Sequence, residues 1–461
     1  IPVDKSAGDS VSAATTSRSG YLRCEATRVG QDTTLSQIIR IMEEAQGRKA
    51  PIAKLADKVS GIFVPIVISI AVLSAAVWLF SGQELSFALR IFTSVLVIAC
   101  PCALGLATPT AIVVGTGLGA SHGILIRSGE ALEILHKADV VVLDKTGTVT
   151  TGQPQVTELL PVEGISPREL LSLAALVEER SEHPLAGAVL RAAEAENLRG
   201  TLPEQIKSFQ SHTGSGVEVE LESGRRLFMG NRVLLEKAGA ALSKAQQVEI
   251  ETLSRQGKTP LLMAEPGKYL GCVSVADTIK ESSPAAIRRL HEMGLTTVLL
   301  TGDNQATAEH IAAEAGIDRV LAQALPGEKA GRIRSLQEEG HTVLMVGDGI
   351  NDGPALAQAD VGCAMGAGSD VAIQAGSVVL MKNDLQDVAR AVRLSHLTIR
   401  GIRQNLFWAF CYNVIGIPIA AGLLYPSFGL LLSPMIGGLA MSLSSLFVVS
   451  NALRLRTKKL D

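Results

Sequence analysis

The sequence predicts a multidomain membrane protein, in which an α-helical transmembrane domain carries a large α/β insert. Hydrophobic residues make up 47% of the chain and charged residues 19%, below the roughly 25% of ordinary soluble proteins. The apolar excess is concentrated in three stretches without Asp, Glu, Lys or Arg, at 62–80, 91–119 and 406–453. About 20 such residues span a bilayer, and the last stretch is long enough for two helices, so we expect four spans.

Basic residues predict the orientation of these spans. The chain ends in the basic segment 454–459, and positive charge close to a helix end favours the cytoplasmic side. An even number of spans then places both termini and the insert in the cytosol, as in a multi-pass integral membrane protein. We expect transmembrane helices 1 and 2 within residues 51–123, and helices 3 and 4 with the basic tail within 396–461.

Short apolar runs predict a parallel α/β sheet in the insert. Residues 140–143, 297–300 and 342–346 form these runs, and helical patterns separate them, as in α/β proteins. Each run ends in a polar cluster, and ligands bind beyond the carboxyl ends of parallel strands. The stretch between the first two runs is longer than a crossover needs. We therefore expect an inserted α+β domain at 155–267, with a helix at 168–180 and a hairpin at 216–232, inside a domain formed by 124–154 and 268–395.

Composition argues against several other classes of protein. The net charge of −3 gives no basic field for nucleic acid, and aromatic residues at 3% leave few stacking platforms for single strands. The six cysteines have no even framework of spacings, which favours a reduced compartment over a disulfide scaffold. The lipid bilayer, and not nucleic acid, is the expected partner.

Asp144 is the candidate nucleophile of the insert. It ends the first apolar run and opens the motif Asp-Lys-Thr-Gly-Thr, whose glycine lets the backbone approach a phosphate. A carboxylate in this position can attack a phosphoryl group and form an aspartyl phosphate. A lone aspartate after a strand more often caps a turn, so the hypothesis depends on the other two clusters.

Those two clusters supply oxygen ligands and positive charge. The segment 347–352, Gly-Asp-Gly-Ile-Asn-Asp, adds carboxylates, which suit Mg²⁺, a hard ion that neutralises phosphate charge. Thr301 and Lys329 are candidates to hold the phosphate oxygens. Three matched clusters favour catalysis over turn capping.

The three motifs in this order, with a long insert after the first and apolar spans on both sides, resemble the P-type cation-transporting ATPases. The resemblance implies a phosphorylation domain of haloacid-dehalogenase type around Asp144, with an inserted nucleotide-binding domain. It also implies a catalytic and phosphate-contacting set, namely Asp144, Lys145, Thr146, Thr301, Gly302, Asp303, Lys329 and Asn351. The implied Mg²⁺ set is Asp144, Thr146, Asp348 and Asp352.

One position separates this chain from related phosphatases. Those enzymes carry a second aspartate, a general acid and base, two residues after the nucleophile, where this chain has Thr146. A hydroxyl is a poor proton shuttle at neutral pH. We therefore expect a phosphoenzyme that lives long enough to drive conformational work.

The inserted domain carries weaker local signals. A surface histidine such as His183 is usually unremarkable, and a Gly-x-Gly such as 214–216 is more often a turn than a nucleotide loop. In the heavy-metal branch of the family, however, the His-Pro pair, the Gly-x-Gly and an asparagine match the adenine-nucleotide site. The resemblance thus implies ATP contacts, with His183 near the purine, from Glu182, His183, Gly214, Gly216 and Asn231.

Cys100-Pro101-Cys102 lies near the middle of a predicted span. Thiolates favour soft ions such as Cu(I) and Zn²⁺, and Pro101 breaks the helix, which can bring both sulfurs to one face. Buried cysteines can also be small apolar fillers, but their membrane depth and the proline favour metal. The motif also resembles the heavy-metal branch.

The last two spans indicate which metal is transported. They offer Tyr412 and Asn413, then Met441 with Ser445 on the same helix face, and a thioether suits a soft monovalent ion. A Zn²⁺ pump is expected to add a carboxylate, which 406–453 lacks. The pattern resembles the copper-transporting members and implies Cu(I), or Ag(I) by the same chemistry, delivered by a cytosolic metallochaperone. The candidate copper ligands are Cys100, Cys102, Tyr412, Asn413, Met441 and Ser445.

The start of the chain departs from the family pattern. Members usually have an actuator domain with a Thr-Gly-Glu-Ser loop, followed by a segment like residues 1–5. We expect residues 1–50 to be a remnant of that domain, and the chain to be a truncated form of an ATP-driven Cu(I) exporter with impaired turnover. Two alternatives stay open: a Zn²⁺/Cd²⁺ P-type ATPase, and a non-transporting, metal-responsive membrane protein that binds nucleotide.

Overall fold

The structure is a computed structural model that describes residues 23–25 and 51–460, except 101, 182, 199, 201–203, 213, 326, 349–351 and 367–375. The expected actuator remnant at 1–50 therefore lies almost wholly outside the described residues. Two β-sheets and a group of long apolar helices make up the described part.

The helices and strands are numbered here in chain order. The helices are α1 Pro51–Phe80, α2 Leu85–Ile98, α3 Cys102–Ser121, α4 Gly129–Leu135, α5 Pro167–Glu178, α6 Pro184–Ala195, α7 Arg232–Lys237, α8 Lys244–Arg255, α9 Ser283–Glu292, α10 Gln305–Ala315, α11 Lys329–Glu338, α12 Gly353–Gln358, α13 Gln386–Ala420, α14 Tyr425–Phe428 and α15 Pro434–Leu453. The strands are β1 Ile124–Ile126, β2 Val140–Asp144, β3 Thr150–Pro161, β4 Ile206–His212, β5 Gly216–Leu221, β6 Arg226–Gly230, β7 Thr259–Glu265, β8 Lys268–Ile279, β9 Thr296–Leu300, β10 Arg319–Leu321, β11 Val343–Gly347, β12 Val361–Met365 and β13 Val378–Leu380.

The three apolar runs of the insert form the centre of one sheet, as predicted. Among the described residues this sheet has seven strands in the order β1-β13-β12-β11-β2-β9-β10. The strand β2 is parallel to β11 on one side and to β9 on the other, with Val142 opposite Met345 and Val298. All residues of β2 and β11 are buried, because helices cover both faces of a parallel sheet. The predicted parallel α/β domain is confirmed.

The inserted domain is built on a second sheet. Six antiparallel strands of the described chain pair in the order β3-β8-β7-β6-β5-β4. The predicted helix at 168–180 and hairpin at 216–232 are confirmed as α5 and the β5–β6 pair. The sheet begins before residue 155 and continues after residue 267, beyond the predicted limits, because β3 and β8 pair from Thr150↔Ile279 onwards.

Three helical stretches of the described residues are long and apolar enough to cross a membrane: Lys58–Phe80, Leu85–Ser121 and Pro434–Thr457. The second is interrupted, since α2 ends at Ile98 and α3 begins at Cys102, where the Cys-Pro-Cys motif predicted a break. The third predicted span, the first half of the stretch 406–453, is not among these stretches. It forms the last part of α13, a 35-residue helix, and that part packs between α2, α3 and α15.

Candidate catalytic, nucleotide and metal sites

The topology brings the three polar clusters to one edge of the parallel sheet. Asp144 is the last residue of β2, Thr301 follows β9 and Asp348 follows β11, and these three strands are direct neighbours. Carboxyl ends of parallel strands lie at the same edge of a sheet. The crevice expected from the sequence is therefore present, while Asn351, predicted to contact phosphate, lies outside the described residues.

Lys329 joins two carboxylates in this crevice. Its Nζ donates hydrogen bonds to Asp144 Oδ1 at 2.6 Å and to Asp352 Oδ1 at 2.7 Å. All three residues are buried, with 6% of Asp144, 7% of Lys329 and 1% of Asp352 exposed. One ammonium group thus holds the nucleophile in place and offsets the charge of both carboxylates.

The protonation of the site follows from burial and charge. Burial and the nearby Asp352 carboxylate raise the pKa of Asp144 to about 6, although Lys329 opposes this. Burial also raises the pKa of Asp352. The pKa of Lys329 is raised despite its burial, because the two carboxylates favour its charged form. The lysine therefore stays positive in a site where the aspartates resist ionisation.

The side chain of Lys145 forms an ion pair with Asp303. Its Nζ donates to Asp303 Oδ2 at 2.7 Å, and the backbone N–H of Asp303 donates to Thr301 Oγ1 at 3.1 Å. Gly302 lies exposed between these two residues. The three residues Thr301, Gly302 and Asp303 thus form a turn at the edge of the crevice, anchored to Lys145.

The loop after Asp144 turns sharply over the site. Gly147 has φ 70°, a left-handed conformation that favours glycine, and a Cβ added there would lie 3.5 Å from Asp348 Oδ2. The side chain of Thr146 is exposed, whereas Thr148 is buried. The glycine predicted to allow close approach therefore brings the loop backbone next to the Asp348 carboxylate.

One buried oxygen atom of the crevice fits the expected Mg²⁺. Asp352 Oδ2 has no hydrogen-bond partner among the described residues. The described chain contains no group of three His, Cys, Asp or Glu side chains arranged around a metal position. Mg²⁺ commonly uses only one or two carboxylates and completes its shell with water and substrate phosphates. The Asp348 and Asp352 carboxylates are therefore a suitable donor set.

A separate cavity lies in the inserted domain. Its volume is about 810 Å³, and four of the five residues implied for ATP line it, namely His183, Gly214, Gly216 and Asn231. The fifth, Glu182, lies outside the described residues. Phe209 and Leu261 add apolar surface to the wall. A cavity of this size, apolar with a few polar groups, suits a drug-sized ligand such as a nucleoside.

His183 and Asn231 each cap a helix at the cavity. His183 Nδ1 accepts the N–H of Leu185 at 3.2 Å, at the start of α6, so the neutral ring carries its proton on Nε2. Asn231 Oδ1 accepts the N–H of Val233 at 3.0 Å, and its Nδ2 donates to the Gly214 carbonyl at 2.9 Å. The side chain of Asn231 therefore fixes the shape of the Gly-x-Gly turn.

Glycine is required at position 216. A Cβ there would lie 2.2 Å from the Met229 carbonyl oxygen, and φ is 139°. Gly230 faces it across the hairpin, where a Cβ would lie 2.1 Å from the Ser215 carbonyl. The two glycines let β5 and β6 approach closely at the base of the cavity.

The sequence reasoning missed Glu178. This residue ends α5, lines the cavity and is only 6% exposed. Its Oε2 has no hydrogen-bond partner among the described residues, and burial raises its pKa although Ser181 and His183 oppose this. A buried carboxylate oxygen of this kind is suited to accept a hydrogen bond from a ligand. The only sequence signal for Glu178 was its position five residues before His183.

The long apolar helices bring part of the predicted copper set together. Tyr412 Oη donates to the Cys100 backbone carbonyl at 3.1 Å. Asn413 is 1% exposed and donates through Nδ2 to Ala409, while its Oδ1 has no partner among the described residues. The side chain of Cys102 lies outside the described part. The break between α2 and α3 therefore faces the polar turn of α13.

Met441 and Ser445 lie on α15, which packs against α2, α3 and α13. Ser444, one residue before the predicted Ser445, lies near the Tyr412 phenol. The sequence pattern did not single out Ser444, because the i to i+4 spacing from Met441 selected Ser445. Ser444 thus places a hydroxyl group of α15 close to the side chain that contacts Cys100.

Comparisons with known proteins agree with this arrangement. Residues 138–360 match a family model of haloacid dehalogenase-like hydrolases, and residues 1–43 match the P-type ATPase actuator domain. "Copper-transporting ATPase 2" of Rhizobium meliloti is 50% identical over 459 residues, covering 99% of this chain and 55% of that protein. "Copper-exporting P-type ATPase" of Bacillus subtilis is 48% identical over 465 residues, covering 100% and 56%.

One solved structure is similar to this chain over most of its length. The crystal structure of a zinc-transporting PIB-type ATPase in its E2.Pi state superimposes with a TM-score of 0.78. It is 34% identical and covers 92% of this chain and 68% of that chain. The present chain spans about half the length of the curated relatives it matches.

Proposed function

The chain belongs to the PIB-type branch of the P-type ATPases, and on this basis we propose that it serves ATP-driven export of Cu(I) from the cytosol through an aspartyl-phosphate intermediate. The proposed phosphorylation of Asp144 is supported by one contact above all. Lys329 Nζ donates a hydrogen bond of 2.6 Å to Asp144 Oδ1 in a buried crevice. A buried carboxylate fixed by a cation at the end of a parallel strand is placed to act as a nucleophile.

In the proposed step, one carboxylate oxygen of Asp144 attacks the γ-phosphorus of ATP. The new O–P bond forms as the bond between the γ-phosphorus and the β,γ-bridging oxygen breaks, and ADP leaves. Lys329 stabilises the charge on the transferring phosphoryl oxygens, and Thr301 and Gly302 orient them. Bound at Asp348 and Asp352, Mg²⁺ would neutralise phosphate charge. Because Thr146 replaces an acid–base aspartate, the acyl phosphate is expected to persist.

The cavity around Glu178 and His183 is proposed to hold the adenine ring of ATP. The Nε2–H of His183 and the buried Glu178 oxygen present a donor and an acceptor on one wall. Cavity and nucleophile lie in different domains, which the paired strands β3 and β8 connect. Phosphoryl transfer therefore requires the two domains to close on the nucleotide.

Cu(I) is proposed as the transported ion, with Ag(I) handled by the same soft ligands. The ligands proposed are the two cysteines of the Cys-Pro-Cys break with Tyr412, Asn413, Met441 and Ser445. Support comes from the hydrogen bond between Tyr412 and Cys100 and from the lack of a carboxylate in 406–453, since a divalent ion would favour one. The relatives named for copper are also more similar in sequence than the zinc-transporting structure.

Four spans are proposed to place both termini and the two sheet domains in the cytosol, where a metallochaperone delivers the ion. The third span is the apolar end of α13, whose buried Asn405 and Asn413 are shielded from lipid by its neighbours. Intramembrane polar residues of this kind usually face a transport pathway.

Radiolabelled ATP tests the proposal. With Mg²⁺ and Cu(I), the chain should form an acid-stable, alkali-labile phosphoenzyme, and Asp144→Asn should abolish the label. Label retained by that variant would contradict the assignment of the nucleophile. Comparison of Cu(I), Ag(I), Zn²⁺ and Cd²⁺ as activators identifies the ion. Metal uptake into inverted vesicles separates a pump from a metal-responsive protein, because only a pump accumulates metal with ATP.

A further inference from the structure

Lys280 connects the phosphorylation loop to the segment that leads into α13. It follows β8 directly, and its Nζ donates to the Gly147 carbonyl at 2.6 Å and to Asn383 Oδ1 at 2.7 Å. Gly147 comes three residues after Asp144, and Asn383 comes three residues before α13. One side chain thus contacts two segments that are far apart in the sequence.

Asp277, near the end of β8, holds the other end of this loop. Its Oδ1 accepts the N–H of Gly152 at 2.9 Å and the hydroxyl of Thr151 at 3.1 Å. A Cβ added at Gly152 would lie 3.0 Å from Gly147 Cα, so the two ends of the loop are packed against each other. The segment 145–152 is therefore fixed between Asp277 and Lys280.

The charge of Lys280 is costly where it lies. Burial lowers the pKa of this half-buried lysine to about 8, although Asp384 and Asp277 favour its charged form. An apolar side chain of similar length would avoid this cost. Charge-assisted hydrogen bonds to a carbonyl and an amide oxygen are stronger and more directional than neutral ones. We therefore attribute the lysine at position 280 to the orientation of the loop by its hydrogen bonds, and not to a gain in folding stability.

We propose that Lys280 is a positioning residue for phosphoryl transfer. Its hydrogen bond to Gly147 holds the loop that follows Asp144. Its hydrogen bond to Asn383 connects that loop to α13, the helix that carries Tyr412 and Asn413. This inference rests on the proposed function. The helix α13 is continuous over 35 residues, or roughly 50 Å at 1.5 Å per residue. Because α13 is continuous, a displacement of its first turn is carried along the helix to the proposed metal ligands as a rigid-body movement.

The test compares Lys280→Met with Lys280→Arg in the full chain. Lys268→Met is the matched control, because Lys268 is an exposed lysine at the other end of β8. Two quantities are measured: the rate of phosphorylation at saturating ATP with the KM for ATP, and hydrogen exchange of the backbone amides of 145–152. The exchange measurement needs neither ATP nor metal.

Lys280→Met is expected to slow phosphorylation at least tenfold, leave KM within twofold, and speed exchange at 145–152 at least fivefold. Lys280→Arg, which keeps a charged donor, should recover the rate to within threefold. A rate within twofold of the unchanged chain in Lys280→Met, or no recovery in Lys280→Arg, overturns the inference. If the unchanged chain forms no phosphoenzyme, the proposed function fails instead, and unchanged exchange in Lys280→Met still overturns the positioning role.

Asn383→Ala provides a variant that leaves the buried lysine in place. Asn383 is exposed, so its truncation should not unfold the chain. The expected result is an at least threefold change in the Cu(I) concentration for half-maximal phosphorylation, with the maximal rate within twofold. An unchanged Cu(I) concentration would overturn the proposed connection between Lys280 and α13.

Discussion

The hydroxyl of Tyr412 donates a 3.1 Å hydrogen bond to the backbone carbonyl of Cys100, across 312 residues of sequence. The bond joins the polar turn of α13 to the break between α2 and α3. A helix break leaves carbonyl groups without their usual partners, and Tyr412 satisfies one of them. The Ser444 hydroxyl of α15 lies near the same phenol. Tyr412 therefore joins α13 to the Cys-Pro-Cys break and lies close to α15.

Tyr412→Phe should weaken the response to Cu(I). The variant removes this hydrogen bond but keeps the ring, and a neutral hydrogen bond is worth about 0.5–1.5 kcal/mol. We expect the Cu(I) concentration for half-maximal phosphorylation to rise about three- to tenfold. Tyr425→Phe is the control, because the Tyr425 ring packs on Trp78 and Phe87 away from the motif. An equal shift in both variants would contradict the assignment.

Lys329→Gln should abolish phosphorylation while sparing nucleotide binding. The change leaves Asp144 and Asp352 buried without their cation, and breaking a buried ion pair costs about 3–5 kcal/mol. We expect the phosphorylation rate to fall at least 100-fold and the Kd for ATP to stay within twofold, since the cavity lies in the other domain. Arg332→Gln, an exposed cation on the same helix, is the control and should phosphorylate normally.

Glu178→Gln should weaken ATP binding. The substitution is nearly isosteric, but it replaces a carboxylate whose Oε2 has no partner among the described residues. Loss of one buried hydrogen bond corresponds to a roughly tenfold rise in Kd, measured by calorimetric titration. The adjacent, exposed Glu179→Gln serves as the control. If Glu178→Gln binds ATP as tightly as the unchanged chain, Glu178 is not a nucleotide contact.

Asp318→Asn should destabilise the fold at neutral pH but not in acid. Burial disfavours the charged carboxylate, but the Thr297 N–H, the Thr297 hydroxyl and His291 hold the pKa of Asp318 below its ordinary value of 3.8. The Asp318 carboxyl group binds a proton more readily in the unfolded chain than in the folded one. Ionised Asp318 therefore stabilises the fold above pH 3.8, and this stabilisation is lost as the pH falls through the lower pKa of Asp318 in the folded state.

Thermal melting of the purified chain checks this prediction. The melting temperature of Asp318→Asn should be lower than that of the unchanged chain at pH 7, and the difference should shrink towards pH 3. Glu314→Gln, at an exposed helical position, should have no such pH-dependent effect. A difference that stays constant with pH would mean that the ionised carboxylate does not carry the stabilisation.

The helices and strands of the two sheet domains were predicted from local patterns. The runs 140–143, 297–300 and 342–346 are apolar because a parallel sheet is covered on both faces, so their pattern alone indicated buried strands. The hairpin at β5 and β6 and the helix α5 were also predicted near their observed limits. The length of the segments without charged residues likewise predicted the long apolar helices, because this length depends on composition and not on packing.

Within the site, the sequence determined the chemical groups: Asp144 at a strand end, the glycine of its loop, and the cysteines beside Pro101. Only the tertiary structure decided which of these groups meet. It placed Lys329 between Asp144 and Asp352, turned Lys145 towards Asp303, and brought Glu178 and Ser444 into sites that the motifs did not include. The physical reason is that local patterns depend on neighbours along the chain, whereas contacts between distant side chains depend on sheet order, helix rotation and packing.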